Sequence, residues 1–174
     1  NPIKYSVPLI THEAGQHVSY PSLDQMGKFT GSQLAGYIDI ARSQLRERGM
    51  LEQWPEFVKA SGKLQTLFYK YELETYLRMP RHSGYELLQL EDFPGQGAAL
   101  WGVLDYFYDN KGYITPEEFR RFCSQQVLLA KFSKFTWTAG EEFKADILYS
   151  NWSEGDLFNR SIRCTLTDEY GKVH

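Results

Sequence analysis

Val7 to Ile10 is an uninterrupted apolar run, too short for a helix and of the length of a buried strand in a parallel sheet. Thr11, His12 and Glu13 end it, and Gly15 lets the backbone turn, so the pattern predicts Glu13 at the carboxyl end of a strand. Residues 14–29, with His17, Tyr20, Pro21 and Asp24, read as a loop following that strand. The period then becomes helical. Leu34, Tyr37, Ile38, Ala41 and Leu45 share one face, with Ser32 placed to cap the helix and Gly49 to end it. A second helix is predicted over 55–77, where Phe57, Val58, Leu64, Leu67, Phe68, Tyr71 and Leu77 make a broad apolar face, Ser61-Gly62 is a local weak point, and Pro80 stops the run. Tyr85 to Leu90 is the next strand candidate, and two intervening helices suit an elaborated crossover between parallel strands.

Glu91 to Gly97 has the composition of a constrained loop, and residues 101–109 are rich in aromatics and fit either a short helix or a strand-like loop. Thr115, Pro116 and Glu118 form a capping box with proline in the first turn, which predicts a helix to about Gln125 with Phe119 and Phe122 facing the core. After Trp137 the period becomes two. Phe143, Ala145, Ile147 and Tyr149 alternate with Lys144, Asp146, Leu148 and Ser150, and Ile162, Cys164 and Leu166 with Arg163, Thr165 and Thr167, so strands of an antiparallel sheet are expected, followed by a turn at Asp168–Gly171.

With 174 residues the chain has the length of one ordinary domain and falls short of the about 250 residues of a complete (β/α)8 barrel. An aromatic share of 16% suits sugar stacking and core filling alike. A net charge of −3, with Lys and Arg scattered, gives no footprint for nucleic acid. No apolar run approaches the roughly 20 residues of a membrane span, and no signal peptide is read at Asn1. Cys123 and Cys164 have no metal-like spacing and imply no disulfide framework.

Metal motifs fail on their spacing. His12 and His17 flank Glu13, but five residues would turn the second histidine about 140° away on a helix, where zinc needs both on one face. Asp109 to Glu118 imitates the second half of an EF-hand loop, yet Lys111 would stand where calcium needs an oxygen ligand. Neither a metal nor another cofactor is expected.

Three stretches carry a family resemblance. Val7-Pro8-Leu9-Ile10-Thr11-His12-Glu13 resembles the nucleophile segment of family 2 glycoside hydrolases, the β-galactosidases and β-glucuronidases. Gly84 to Phe93 is similar to the last barrel strand of that family, and Lys111 to Phe119 to the segment opening its closing helix in bacterial members. The resemblance spans roughly residues 5–135. It implies an α/β fold: the C-terminal portion of a (β/α)8 TIM-type barrel over residues 1–135, followed over 136–174 by an incomplete antiparallel β-sandwich, immunoglobulin-like in type. It implies a part of a longer enzyme, compatible with a periplasmic or secreted parent.

The function it implies is retaining cleavage of terminal β-glycosides in oligo- or polysaccharides, with Glu13 as the catalytic nucleophile. Substrate contacts are expected from His12, Gln16, His17, Asp92, Phe93 and Trp101. A retaining enzyme needs a second carboxyl group about 5 Å away as acid/base. In the family that glutamate follows an asparagine, and this sequence has no Asn-Glu pair, so the isolated chain is expected to be inactive. The competing expectation is a non-catalytic carbohydrate-binding or interaction domain. Strands removed from a closed sheet would leave open edges, so self-association is also expected.

Overall fold

The computed structural model describes residues 7–96 and 98–174. Strand β1 (Leu9–Ala14) pairs in parallel with β2 (His82–Leu87), and the crossover between them contains helices α1 (Gly36–Glu47) and α2 (Trp54–Arg78). Short 3₁₀ turns at Leu23–Lys28, Leu51–Gln53 and Pro94–Gln96 punctuate the loops. Helix α3 (Pro116–Arg120) precedes β3 (Gln126–Lys131), which pairs antiparallel with β4 (Asp146–Asn151) in one unbroken register.

Helix α2 determines where the rest of the chain lies. Its buried face is Trp54, Gly62, Gln65, Thr66, Tyr69 and Leu73, a helical repeat that is half polar. Gly62 is no weak point: the Tyr113 ring lies where its Cβ would be, so the glycine admits a close contact. The face expected to be buried is partly the opposite one, with Leu67 61% and Tyr71 52% exposed. Two apolar clusters lie along the helix. Ile38, Ala41 and Leu45 of α1 meet Trp54 near its start, and Tyr69 and Leu73 meet Ala14 and Phe122 near its end. Helix α1 begins at Gly36 without a side-chain cap, so Ser32 does not serve as one, and Leu34 is exposed.

The expected barrel portion and sandwich are not what the chain forms. Among the described residues there are two separate sheets of two strands each. A barrel strand must be covered on both faces, whereas β1 is bare on one: Ile10 is 63% exposed and the His12 side chain, on the same face, 71%. Beyond β2 the chain makes isolated bridges, Glu91 with Leu104, Phe93 with Ala99 and Leu104 with Asn110, instead of a further ladder. β2 itself starts at His82 and ends at Leu87, three residues before the expected Leu90.

In place of a sandwich, β4 takes β3 as its partner. β3 lies before Trp137, in a stretch where no strand was expected; its alternating Val127 and Leu129 are buried, and the ladder joins residues on both sides of position 135. Residues 162–166 form no strand. The turn at Asp168–Gly171 is present, closed by the Thr167–Val173 bridge. The Thr115–Glu118 capping box forms as expected, but its helix ends at Arg120. Residues 1–6 of the expected first domain and Gly97 of the expected loop lie outside the described residues. No helix among the described residues is long and apolar enough to cross a membrane.

Candidate active site at the carboxyl ends of β1 and β2

Thr11 pairs with Tyr85 and Ala14 with Leu87, so His12 and Glu13 together stand opposite the single residue Glu86. This is a bulge, a device that re-aims a side chain at the end of a ladder. Its geometry is costly: Glu13 has a φ of +56°, a left-handed conformation that residues with a Cβ avoid. The bulge presents the Glu13 carboxylate to solvent, with 48% of the side chain exposed. Gln16 Nε2 donates to Glu13 Oε2 at 3.0 Å and to its carbonyl at 3.2 Å. The His12 ring lies between two carboxylates, Nδ1 3.8 Å from Glu13 Oε1 and Nε2 3.5 Å from Glu86 Oε2.

The following turn is fixed from below by α2. Gly15, at φ +85°, packs against the Tyr69 ring so closely that any Cβ would collide with it. Its N–H donates to Glu72 Oε2 at 3.2 Å, the Tyr76 hydroxyl donates to Glu72 Oε1 at 2.6 Å, and His17 Nε2 stands 3.4 Å from Glu72 Oε2. Burial first, and the Glu72 carboxylate after it, push the Tyr76 phenol up to about 12, so it stays protonated and keeps donating. His17 also stacks on Phe68 with ring centroids 4.5 Å apart.

Higher on the same helix face, Gln65 Nε2 donates to the carbonyls of His17 at 2.5 Å and Leu100 at 2.9 Å, and Tyr69 donates to the carbonyl of Trp101 at 2.9 Å. Ser19 N–H adds a bond to the Leu100 carbonyl at 3.0 Å. α2 thereby ties the loop after Glu13 to the segment carrying Trp101. The Trp101 ring is nearly parallel to Phe93, 13° between planes at 6.5 Å, and its Nε1 is buried with no hydrogen-bond partner among the described residues.

His12, Gln16 and His17 therefore surround Glu13 or its turn, and Phe93 with Trp101 forms an aromatic pair on the segment joined to it. Asp92 does not belong with them. Expected to accept bonds from sugar hydroxyls, it is 1% exposed and engaged by the protein itself. Lys111 Nζ donates to Asp92 Oδ1 at 2.9 Å and Oδ2 at 3.0 Å, and Gly102 N–H donates to Oδ1 at 3.0 Å. Burial pushes the Asp92 carboxyl up to about 6, against the pull of Lys111 and Gly102, and lowers Lys111 despite Asp92. This pair is a structural lock.

The sequence reading missed Gln65, Tyr69, Glu72 and Tyr76. They recur at helical spacing and form a polar stripe opposite the exposed apolar one, a signal that reading α2 only for its apolar positions passes over. Among the described residues no group of three His, Cys, Asp or Glu side chains could hold a metal ion.

An exposed carboxylate with one oxygen bound by an amide and the other facing an imidazole can act as a nucleophile or as a base. Comparison with known proteins adds no relative: no family model matches the chain, and no curated protein is significantly similar to it.

Proposed function

We propose that Glu13 is the nucleophile of a retaining glycoside hydrolase acting on terminal β-glycosides, of the family 2 kind that the sequence resembles. The observation that carries this reading is the bulge at His12–Glu13, which holds a glutamate in a left-handed backbone conformation at a strand end. Strain of about 1–3 kcal/mol persists where the surroundings impose it, characteristically at functional sites. Glu13 attacks the anomeric carbon as the glycosidic C–O bond breaks, and water later hydrolyses the resulting ester. Gln16 orients the attacking carboxylate. His12 and His17 supply polar contacts beside it, and Trp101 with Phe93 supplies a stacking surface for the sugar. The acid that protonates an ordinary leaving group has no match in this sequence, which lacks an Asn-Glu pair.

The test removes the need for that acid. Dinitrophenyl 2-deoxy-2-fluoro-β-glycosides leave as a stabilised phenolate without a proton, and the fluorine slows hydrolysis, so the ester accumulates. With galactosyl and glucuronyl versions, peptide mass spectrometry should find one sugar on the peptide containing Glu13, and none in Glu13→Gln. Labelling that survives in Glu13→Gln, or no labelling with either sugar, would rule this reading out.

A further inference from the structure

The apolar stripe of α2 that escapes the core does not lie on a flat surface. Leu67, Phe68 and Tyr71 form one wall of a groove, and the chain leaving β3 returns across it to place Phe132 and Phe135 opposite, enclosing about 710 Å³. Phe135 meets Tyr71 edge to face at 5.6 Å and Phe132 at 5.4 Å, which fixes the far wall. At one point the groove borders the loop after Glu13, because Phe68 is also the ring on which His17 stacks.

Volume and charge together specify an occupant. A space of this size falls in the range of roughly 300–1,000 Å³ typical of small-molecule sites, which are mostly apolar with a few placed polar groups. Its charged lining is lopsided: Lys70, Arg78, Lys131 and Lys134 against Glu74 alone. Glu74 pairs with both Lys70 and Arg78, so those two cations share one carboxylate. On the opposite wall Lys134 pairs with Glu141, while Lys131 is in no ion pair among the described residues. The positive excess therefore lies along the rim of an apolar trough. A neutral apolar molecule would leave it uncompensated, and a cation would be repelled.

We propose that this groove binds a soluble amphipathic anion, its apolar body on Leu67, Phe68 and Phe135 and its carboxylate or sulfonate toward Lys131, with Lys134 and its partner Glu141 beside it. The site is independent of the chemistry assigned to Glu13.

Two probes with the same aromatic body test it on the whole chain. 8-Anilinonaphthalene-1-sulfonate carries the charge, and N-phenyl-1-naphthylamine is its neutral twin; fluorescence titration gives both affinities. The sulfonate should bind about tenfold more tightly than the neutral probe, and the double substitution Lys131→Glu with Lys134→Glu should erase that preference while leaving the neutral probe within about twofold. Leu67→Asp, at an exposed position where folding is not at stake, should weaken both by about tenfold or more. Unchanged sulfonate binding in either variant would overturn the proposal. So would two other results that Leu67→Asp abolishes: flotation with anionic phospholipid vesicles, or a dimer seen by light scattering. These would assign the groove to a membrane surface or to a second copy.

Discussion

Glu13 is held in a conformation that glycine would adopt without cost, and its side chain is exposed and contributes little packing. Glu13→Gly should therefore stabilise the protein by about 0.5–1 kcal/mol in urea unfolding, while Glu13→Gln, which keeps the Cβ, should be neutral. Both should lose the glycosyl label. Stabilisation without function is the pattern expected when strain serves a site, and a destabilised Glu13→Gly would mean that the side chain holds the bulge together. Asp92 gives a residue-scale expectation of a different kind. Its carboxyl is raised from the ordinary 3.8 to about 6 in the folded protein, so the folded state binds more protons across that window. The contribution of this carboxyl to stability should fall by up to about 3 kcal/mol as pH rises from 4 to 6, against a rise from Asp105, Glu118, Glu141 and Asp168, whose carboxyls are lowered in the fold. In Asp92→Asn with Lys111→Met this contribution should vanish, and the double variant should equal or exceed the wild type at pH 7. Lys111→Met alone, which strands a buried carboxylate, should cost about 3 kcal/mol. A wild-type protein whose stability rises between pH 4 and 6 with no contribution from Asp92 would contradict this account.

At the scale of elements, α2 shows what amphipathic reading captures and what it overlooks. Its existence and its ends were legible in the spacing of apolar residues and in Pro80. Its buried face was not, because that face is decided by hydrogen bonds to loop carbonyls that lie distant in sequence: Gln65 to His17 and Leu100, Tyr69 to Trp101. The same reason separates the legible part of the site from the rest. Glu13, His12 and Gln16 stand in one short motif, whereas Glu72 joins them only once the helix has folded back over β1. Asp92 reads in the sequence as a group free to contact a sugar because its partner Lys111, 19 residues on, reaches it only in three dimensions. Gly62 makes the point testable. In an open helix, Gly62→Ala would stabilise by about 1 kcal/mol, but here the new methyl meets the buried Tyr113 ring, and overpacking of about 1–3 kcal/mol should dominate. Thermal unfolding should show a lower Tm. A higher one would mean that the Tyr113 ring can swing aside.

At the scale of the whole molecule, burial is uneven along the chain. The clusters flanking α2 enclose Ile38, Trp54, Tyr69 and Leu73 almost completely, while beyond Trp137 large apolar side chains face solvent: Phe143, Trp152, Phe158, Ile162 and Leu166 are all exposed. In β4 every residue except Ser150 is exposed, so neither face of that strand is covered, and among the described residues its second edge carries no ladder. Unpaired backbone groups beside bare apolar side chains favour pairing with an identical strand. A two-fold contact between copies of β4 would satisfy the edge and set the side chains of the two strands beside each other on a continuous sheet, which is the self-complementary form that closed dimers take. We therefore expect the purified chain to form a dimer or larger assembly at micromolar concentration in light scattering. Replacing Leu148 and Tyr149 with lysine should return it to monomer, because charge on an edge strand blocks pairing, whereas Leu67→Asp in the α2 groove should leave the assembly intact. A monomeric wild-type chain would show that residues 137–174 satisfy themselves, and an assembly indifferent to the lysines would move the contact away from β4.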